Sequence, residues 1–338
     1  MSSSDALLLF DVGASQAQGS RKFQEDRYTT ILPEHFPVNT NENLAFFAVY
    51  DGHGSDAVAE HASQHLHHLL AQRTELPRGD YAIAIKAALA DEDALLLERF
   101  QHESVEPAMS GSTVAMCLIN LTEGELVVSN LGDSHVVMAE RDPRTGAPFH
   151  IVRIVPSWWW SPGPKTIMLT FMGGCHLQRR LTEAHKPDTP SEQARIKEAG
   201  GIVEKRNGVS RLGSLNMSRA LGDLQYKNPV NSLGEEHTMP RVRRASSSST
   251  PQRGNFVSNE PYTSRRILHA HRRYLLVIVS DGVSDYIDDT VLIQYVMDLS
   301  LRGMQATEVA HDVVSRMACR PRSDNASCVI VMLNGQES

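Results

Sequence analysis

Short runs of apolar and β-branched residues recur along the chain and are typical of β-strands. Six runs predict strands at residues 44–50, 113–119, 125–130, 135–139, 274–279 and 328–333. Between them, apolar residues recur at three- and four-residue spacing and predict helices at residues 56–72, 80–100, 190–199, 290–301 and 307–319. Runs of strands separated by pairs of helices favour sheets packed together with helices outside, an α+β layered fold. The pattern alone leaves the strand order open.

Composition and charge act mainly by exclusion. The chain has 338 residues, of which 41% are hydrophobic and 22% charged, as in a soluble globular enzyme of one large domain or two. No apolar stretch approaches the roughly 18–20 residues of a membrane span. A net charge of −7 argues against a general polyanion binder. We therefore expect neither a membrane nor a nucleic acid as a partner.

The cysteines and the first residues bear on location. The four cysteines form no Cys-x-x-Cys pair and no spacing typical of a zinc site. The first eleven residues lack a basic segment and contain early acids, unlike a secretory signal or a mitochondrial presequence. We expect a cytoplasmic or nuclear protein.

Two segments interrupt the alternation of strands and helices. The first, at about residues 155–178, holds all three tryptophans in one run among prolines and glycines. We interpret it as an insertion, either a gene-model error such as a retained intron or a surface loop whose aromatic residues contact partners. The second, at about residues 240–254, is basic and serine-rich and is predicted to be a mobile loop. Ser246 within it resembles a site for basophilic kinases, or belongs to a plain solvated loop.

Acidic motifs carry the candidate chemistry. Each places carboxylates beside a predicted strand or in a turn, where side chains from distant parts of the chain can converge. The carboxylates are Glu25, Asp26, Asp51, Asp133, Asp281, Asp285 and Asp324. These motifs offer hard oxygen donors and no thiolate, which suits Mg²⁺ or Mn²⁺ better than zinc or copper. Two such ions sharing a water are suited to hydrolysing a phosphate ester, whereas a single Asp-Gly pair is usually only a turn.

The same motifs, in the same order, resemble those of the protein phosphatase 2C family of metal-dependent serine/threonine phosphatases. Residues 111–113, 181–188 and 215–223 match further motifs of that family. The resemblance implies two antiparallel β-sheets packed face to face with helices on both sides, in a single phosphatase domain over residues 1–338. It also implies hydrolysis of phosphoserine and phosphothreonine in proteins by a water activated by two Mg²⁺ or Mn²⁺ ions, without a phosphoenzyme.

The resemblance also implies which residues bind the metals. Asp51 would bridge both ions, with the Gly52 carbonyl and Glu25 on one of them. Asp281 and Asp324 would hold the other ion. A weaker third metal position is matched by three carboxylates: Asp133, Asp281 and Asp285.

Four further residues receive roles from the same resemblance. Asp26 would act through a bound water, and Asn325 would support the geometry around Asp324. Arg21 would hold the substrate phosphate through its guanidinium. His53 would be the general acid that protonates the leaving serine or threonine oxygen, a role that suits a group with a reference pKa near 6.5.

The chain departs from the family pattern at three positions that carry no metal-ligand role. His135 stands where an Arg is usual, Ser284 where a bulky residue is common, and Ala184 where an Asp is common. These departures put local packing and the rim of the cleft in doubt.

Two alternatives to a protein phosphatase stay open. One is a catalytically silent member of the family that binds phosphoproteins or other partners through the same scaffold. The other is a hydrolase of small phosphate esters, which would share every metal ligand. We expect phosphoproteins as substrates and a monomeric chain.

Two smaller signals are interpreted as structural. One predicted helix carries four histidines, at positions 61, 65, 67 and 68. His61 and His65 have metal-ligand spacing, but no third ligand follows, so we predict a solvated helix face. The arginine pairs at 265–266 and 272–273 suggest a basic patch near the cleft, although the net charge does not favour nucleic-acid binding.

Overall fold

The computed structural model describes residues 6–38, 42–102, 106–141, 177–232 and 254–334. The two interrupting segments lie outside these residues except for their last positions, and Ser246 lies outside them. Residues 177–178, the last positions of the predicted insertion, begin a β-strand, and the bounds of the insertion stay a prediction. The prediction of a single domain over the whole chain stays a prediction.

The strands are short and spread over the whole described chain. They are β1 (Leu9–Ala17), β2 (Arg27–Ile31), β3 (Leu44–Tyr50), β4 (Gly52–His53), β5 (Gly111–Ser112), β6 (Val114–Asn120), β7 (Glu125–Leu131), β8 (His135–Arg141), β9 (Leu177–Arg180), β10 (Glu204–Arg206), β11 (Val209–Arg211), β12 (Leu221–Gly222), β13 (Tyr262–Ile267), β14 (Arg273–Val279) and β15 (Ala326–Leu333). The helices are α1 (Ala57–Ala71), α2 (Tyr81–His102), α3 (Glu106–Met109), α4 (Pro190–Glu198), α5 (Asp281–Ser284), α6 (Asp289–Leu301) and α7 (Ala306–Ala318).

Two five-stranded sheets form the framework. The first has the order β1-β15-β14-β8-β9 and the second the order β13-β7-β6-β3-β2, and every pairing in them is antiparallel. A small three-stranded sheet, β12-β5-β4, and the hairpin β10-β11 complete the pairing within the described residues.

Side-chain alternation along the strands builds three apolar layers. In β3, Phe46 belongs to the cluster that packs on α1 and α2, whereas Phe47 belongs to the cluster between the two sheets. In β14, Ile278 faces the other sheet, and Val277 packs with α6 and α7. The predicted α+β fold, two packed antiparallel sheets with helices on both sides, is confirmed.

The sequence pattern does not predict the four edge strands of the two large sheets. These are β1 and β9 in the first sheet and β13 and β2 in the second. An edge strand has fewer neighbours and a half-exposed face, so it needs no continuous apolar run. The burial patterns of β1, β2 and β13 show this, because most of their residues are exposed or half-buried.

The helices begin where local hydrogen bonds satisfy their first amide groups. The Asp288 side chain accepts a hydrogen bond from Thr290 N at 2.9 Å before α6. Gln305 and Glu308 form a capping box at the start of α7. The Asp11 carboxylate of β1 also accepts from Ala306 N at 2.7 Å, which ties α7 to the first sheet.

The predicted solvated face of α1 is wrong for its buried histidines. His61 and His67 are each 8% exposed, while His65 and His68 are exposed. His61 Nδ1 lies 2.6 Å from Glu92 Oε1 on α2, so the histidine is a polar contact between two packed helices. Neighbouring helix packing, which the spacing alone does not reveal, decides this face.

Arg272 and Arg273 lie away from the predicted cleft, whereas Arg265 and Arg266 lie within β13. Arg272 and Arg273 stand at the start of β14, and the acidic motif beginning at Asp281 follows its other end. Arg265 on β13 donates to Glu125 at 2.6 Å, and Arg272 contacts Glu140. The charges of Arg265 and Arg272 are therefore offset locally. No helix in the described ranges has the length and apolar composition needed to cross a membrane.

We expect Phe47→Ala to lower the free energy of unfolding by about 3–5 kcal/mol, because it removes a fully buried ring between the two sheets. Ile83→Ala is the control, since Ile83 is 57% exposed on α2 and should change stability by less than about 0.5 kcal/mol. Chemical denaturation of both variants checks this, and equal losses would contradict the assigned layers.

Candidate active site

One end of the second sheet carries three of the predicted residues. Tyr50, the last residue of β3, pairs with Arg27, the first residue of β2. Asp51 follows that pair on one strand, and Glu25 and Asp26 precede it on the other. Antiparallel pairing therefore brings distant parts of the sequence to the same place.

The corresponding end of the first sheet supplies the others. Val279, the last residue of β14, pairs with Cys328 near the start of β15 and with the first residue of β8. Asp281 therefore follows one strand, while Asp324 and Asp133 precede its two neighbours. Each carboxylate stands just beyond the regular pairing, where its side chain is free of the sheet core.

Hydrogen bonds join the two ends. Ser280 Oγ donates to Asp26 Oδ2 at 2.9 Å and accepts from Ser327 N at 2.9 Å. Asp281 N lies 3.4 Å from Asp51 Oδ2. The acidic groups of both sheets thus form one site.

Asn325 fixes the loop that carries Arg21 and Glu25. Its Nδ2 donates to Gln18 O at 2.8 Å and to Phe23 O at 3.0 Å, and its Oδ1 accepts from Glu25 N at 2.8 Å. The backbone N–H of Asn325 donates to Asp324 Oδ1 at 2.8 Å. One buried amide side chain therefore orders both loops, a wider role than the support of Asp324 that the sequence predicts.

Gly52 lets the chain approach the Glu25 segment closely. A Cβ at this position would collide with the Glu25 carbonyl oxygen. The absence of a side chain keeps the backbone of Gly52 next to Asp51 and Glu25. The structure therefore brings all three residues predicted for the first ion together.

Asp285 joins the site through one helical turn. Its amide donates to Asp281 O at 2.8 Å at the end of α5, so Asp281 and Asp285 lie on one face of that turn. Asp285 is the more exposed of the two. Desolvation and the neighbouring Asp133 raise the pKa of the Asp285 carboxyl.

Desolvation and then crowding shift the pKa values of the clustered carboxyls upward. Desolvation, then the negative charges of Asp133, Asp285 and Asp324, raises the pKa of Asp281 to about 8. Desolvation raises the pKa of Asp26 to about 7 despite hydrogen bonds from two serines. Desolvation followed by repulsion from Asp281, Asp26 and Asp133 raises the pKa of Asp51 well above its ordinary value. Glu25 also has a raised pKa because of desolvation. Desolvation is the largest cause in each case and repulsion between carboxylates adds to it, and a nearby cation opposes both effects.

Two protein cations supply part of that charge. The exposed Arg21 guanidinium contacts the Asp324 carboxylate, and the Lys186 ammonium contacts Asp133. Desolvation disfavours the charged form of Lys186, but Asp133 outweighs it and raises the lysine pKa. Lys186 lies in the motif at residues 181–188, but the sequence alone assigns it no role.

The residues suit hard divalent cations by the chemistry of their donors. Among the described residues, no three His, Cys, Asp or Glu side chains already stand grouped as metal ligands. The Asp133 Oδ1 atom is buried and has no hydrogen-bond partner in the described part of the chain, so it is available as a ligand. The oxygen-only set therefore fits Mg²⁺ or Mn²⁺.

His53 stands at the edge of the acidic cluster beside a residue that sequence reasoning missed. Its Nε2 atom lies 2.7 Å from Oδ2 of Asp223, which is 1% exposed. Desolvation lowers the pKa of His53, but Asp223 outweighs it and the net shift is upward. Asp223 ends the motif at residues 215–223, and its position in that motif was the sequence signal for a function.

The departure at His135 is accommodated by a neighbouring acid. His135 Nε2 lies 2.9 Å from Asp289 Oδ1, and Arg180 Nε donates to Asp289 Oδ2 at 2.8 Å. Although burial opposes ionisation, these two partners lower the pKa of Asp289. The histidine at position 135 therefore has an acidic partner, although an arginine is usual at this position.

Comparisons with known proteins agree with this arrangement. A family model described as "Protein phosphatase 2C" matches residues 10–326. "Protein phosphatase 2C homolog 2" from Aspergillus flavus is 30% identical over 224 residues, which is 64% of this chain and 42% of that protein. The protein of the same name from Schizosaccharomyces pombe is 26% identical over 333 residues, 96% of this chain and 73% of that protein. The chain spans less than half the length of the first curated relatives it matches.

Solved structures show the same fold. The crystal structure of a serine-threonine phosphatase 2C from Toxoplasma gondii matches with a TM-score of 0.68 at 18% identity, covering 97% of this chain and 99% of that one. A Caenorhabditis elegans sex determining protein matches with a TM-score of 0.64 at 22% identity, covering 95% and 64% of the two chains.

We expect the thermal stability of the metal-free protein to fall as pH rises toward about 8. Asp26 and Asp281 have folded-state pKa values of about 7 and about 8, above the ordinary value of 3.8. Between the ordinary value of 3.8 and these raised values, the folded state therefore binds more protons than the unfolded state. The stabilisation that comes from these bound protons is lost as pH rises through the folded-state pKa values.

Melting temperatures measured in EDTA across this pH range check the prediction. Mn²⁺ should raise the melting temperature most at the high-pH end, because binding there relieves the repulsion. Asp281→Asn should make the pH dependence in EDTA shallower. A melting temperature that rises with pH in EDTA would contradict the prediction.

Proposed function

Because this chain belongs to the protein phosphatase 2C family, we propose that it hydrolyses phosphoserine and phosphothreonine in proteins, using two Mg²⁺ or Mn²⁺ ions. The observation that carries the proposal is the convergence of acidic residues from both sheets at one end of the sandwich, beside Arg21 and His53. Such a site addresses the main obstacle to phosphomonoester hydrolysis, which is the negative charge of the reacting group.

We assign the metal ligands by their position in the motifs and in the site. Asp51 would bridge both ions, Glu25 and the Gly52 carbonyl would complete one, and Asp281 and Asp324 the other. Asp26 would act through water. Asp133 and Asp285, with Asp281, would hold a weaker third ion. When bound, the ions supply an activated water and positive charge toward the phosphate.

Arg21 would bind the substrate phosphate. Its side chain is 54% exposed and contacts Asp324, a carboxylate also proposed as a metal ligand. With a cation held by Asp324, the guanidinium would be free to bind a phosphate dianion through two parallel hydrogen bonds. Asn325 holds the Arg21 loop in place throughout.

His53 would donate a proton to the leaving oxygen. A serine or threonine alkoxide is a poor leaving group, so proton donation accelerates cleavage of its bond to phosphorus. The upward shift of the His53 pKa favours the protonated form that this role requires.

We further propose phosphoproteins as substrates, a monomeric chain, and a location in the cytoplasm or nucleus, where thiols stay reduced. Cys117 and Cys328 suit this setting, because both are buried and free of disulfides.

We expect Asp281→Asn to reduce phosphate release from a phosphothreonine peptide by about a hundredfold or more, because it removes one charge from the metal site at almost constant volume. Asp298→Asn is the matched control, since Asp298 pairs only with Arg302 on the surface of α6 among the contacts described. Its activity should match the wild type.

Phosphate release with Mn²⁺ and with EDTA, together with calorimetric Mn²⁺ binding, checks this prediction. Asp281→Asn should melt in EDTA at or above the wild-type temperature, because one repelling carboxylate is gone. Full Mn²⁺-dependent activity in this variant would refute the assignment. A wild-type protein that binds phosphopeptides without releasing phosphate would favour the silent scaffold, and activity on small esters alone would favour a small-molecule hydrolase.

A further inference from the structure

The small sheet β12-β5-β4 places His53 and Asp223 on either side of one glycine. His53 of β4 pairs with Gly111 of β5, and Gly111 pairs on its other side with Gly222 of β12. Asp223 follows Gly222 directly. The register of three short strands therefore brings two residues 170 positions apart to a distance of 2.7 Å between Nε2 and Oδ2.

Gly111 provides the space for this contact. A Cβ at position 111 would lie 2.7 Å from His53 Nε2 and would collide with the Asp223 carboxylate. Any larger residue would force the imidazole and the carboxylate apart. The glycine is thus required by the side chains that meet over it, rather than by a turn.

The backbone around Asp223 is anchored without the help of its carboxylate. Asp223 N donates to Ser110 O at 2.7 Å, and Gly222 N donates to Asp93 Oδ1 at 2.8 Å. Lys227 Nζ donates to Ala220 O at 2.8 Å and to Asp93 Oδ2 at 2.5 Å. The Asp223 carboxylate is therefore not needed to hold its own loop.

The contact distinguishes the two nitrogens of His53. A carboxylate accepts hydrogen bonds, so Nε2 carries a proton and donates it to Asp223. The Nδ1 atom is buried and has no hydrogen-bond partner among the described residues. His53 follows Asp51 by two residues, at the end of β4, so the ring borders the acidic cluster.

We propose that Asp223 is a positioning residue that holds His53 through Nε2–H, so that Nδ1 is the nitrogen that protonates the leaving oxygen, and that Gly111 keeps the space for this pair. This inference rests on the proposed phosphatase function. As water bonds to phosphorus, the electrons of the breaking P–O bond pass to the serine or threonine oxygen. That oxygen takes the Nδ1 proton, while Nε2–H stays on Asp223. The attacking water loses one proton, and His53 regains one proton at Nδ1 before the next turnover.

The test compares substrates whose leaving groups differ in their need for a proton. Asp223→Asn retains a side chain that tolerates the observed positive φ of 49°. We expect it to lower kcat for a phosphothreonine peptide by about 10- to 100-fold with little change in KM. Its kcat for p-nitrophenyl phosphate should fall by less than about threefold, because p-nitrophenolate leaves without protonation. Gly111→Ala should show the same selective loss.

Two further variants identify the route of the effect. His53→Gln should show the selective loss, and the His53→Gln/Asp223→Asn double variant should be no slower than His53→Gln alone, because residues that act as a unit are not additive. Asp93→Asn is the matched control, since it weakens the anchoring of the same loop without touching His53. It should lower the melting temperature and affect both substrates alike.

The outcomes separate this inference from the proposed function. If His53→Gln slows both substrates equally, the proposed general acid is wrong. If His53→Gln is selective but Asp223→Asn slows both substrates equally, or if the two losses multiply in the double variant, the positioning role is overturned.

A measurement on the unmodified protein makes the inference independent of variant folding. Nitrogen-15 NMR of the histidine rings at a pH where His53 is neutral should show the Nε2–H tautomer, and the Nδ1–H tautomer would overturn the proposal.

Discussion

Carboxylates that share a desolvated site cannot all ionise unless positive charge reaches them. In this protein the two sheets bring Asp26, Asp51, Asp281 and their neighbours to one end of the sandwich, and the pKa values of these groups rise as a result. The remainder of the fold must hold this repelling cluster together. Sheet packing does so with apolar layers on both faces of both sheets.

The chain meets part of the charge requirement with its own cations. Arg21 contacts Asp324 and Lys186 contacts Asp133, each at a different side of the cluster. Both contacts are reversible ion pairs, whereas the backbone that carries them is fixed by Asn325 and by the strand ends. A site built in this way is rigid in its framework and adjustable in its charge, which suits the binding of divalent cations and a phosphate dianion.

His53, the proposed general acid, belongs to a separate structural unit. The small sheet that carries His53 contributes little apolar packing, but its register is set by short strands on both sides of Gly111. The buried Asp93–Lys227 pair secures the far side of this unit. The proposed proton donation and cation binding would therefore be supported by different interactions that meet at Gly52 and His53.

Much of the fold and of the candidate site was predictable from the sequence. Central strands such as β3 and β14 are buried on both faces, so they must be apolar throughout and are visible as runs. The acidic residues stand immediately beyond these runs, which marks them as groups at strand ends, and their order matches a family pattern.

Tertiary structure decided what depends on a neighbour. The edge strands β1, β2, β9 and β13 are defined by pairing on one side only, so no apolar run announces them. His61 is buried because α2 places Glu92 against it, and Lys186 and Asp223 gain partners through contacts that no local spacing encodes. The sequence by itself determined the type of chemistry, because oxygen donors and their positions are local properties. Which charges compensate each other, and which nitrogen of His53 is free, follow from strand register and long-range packing.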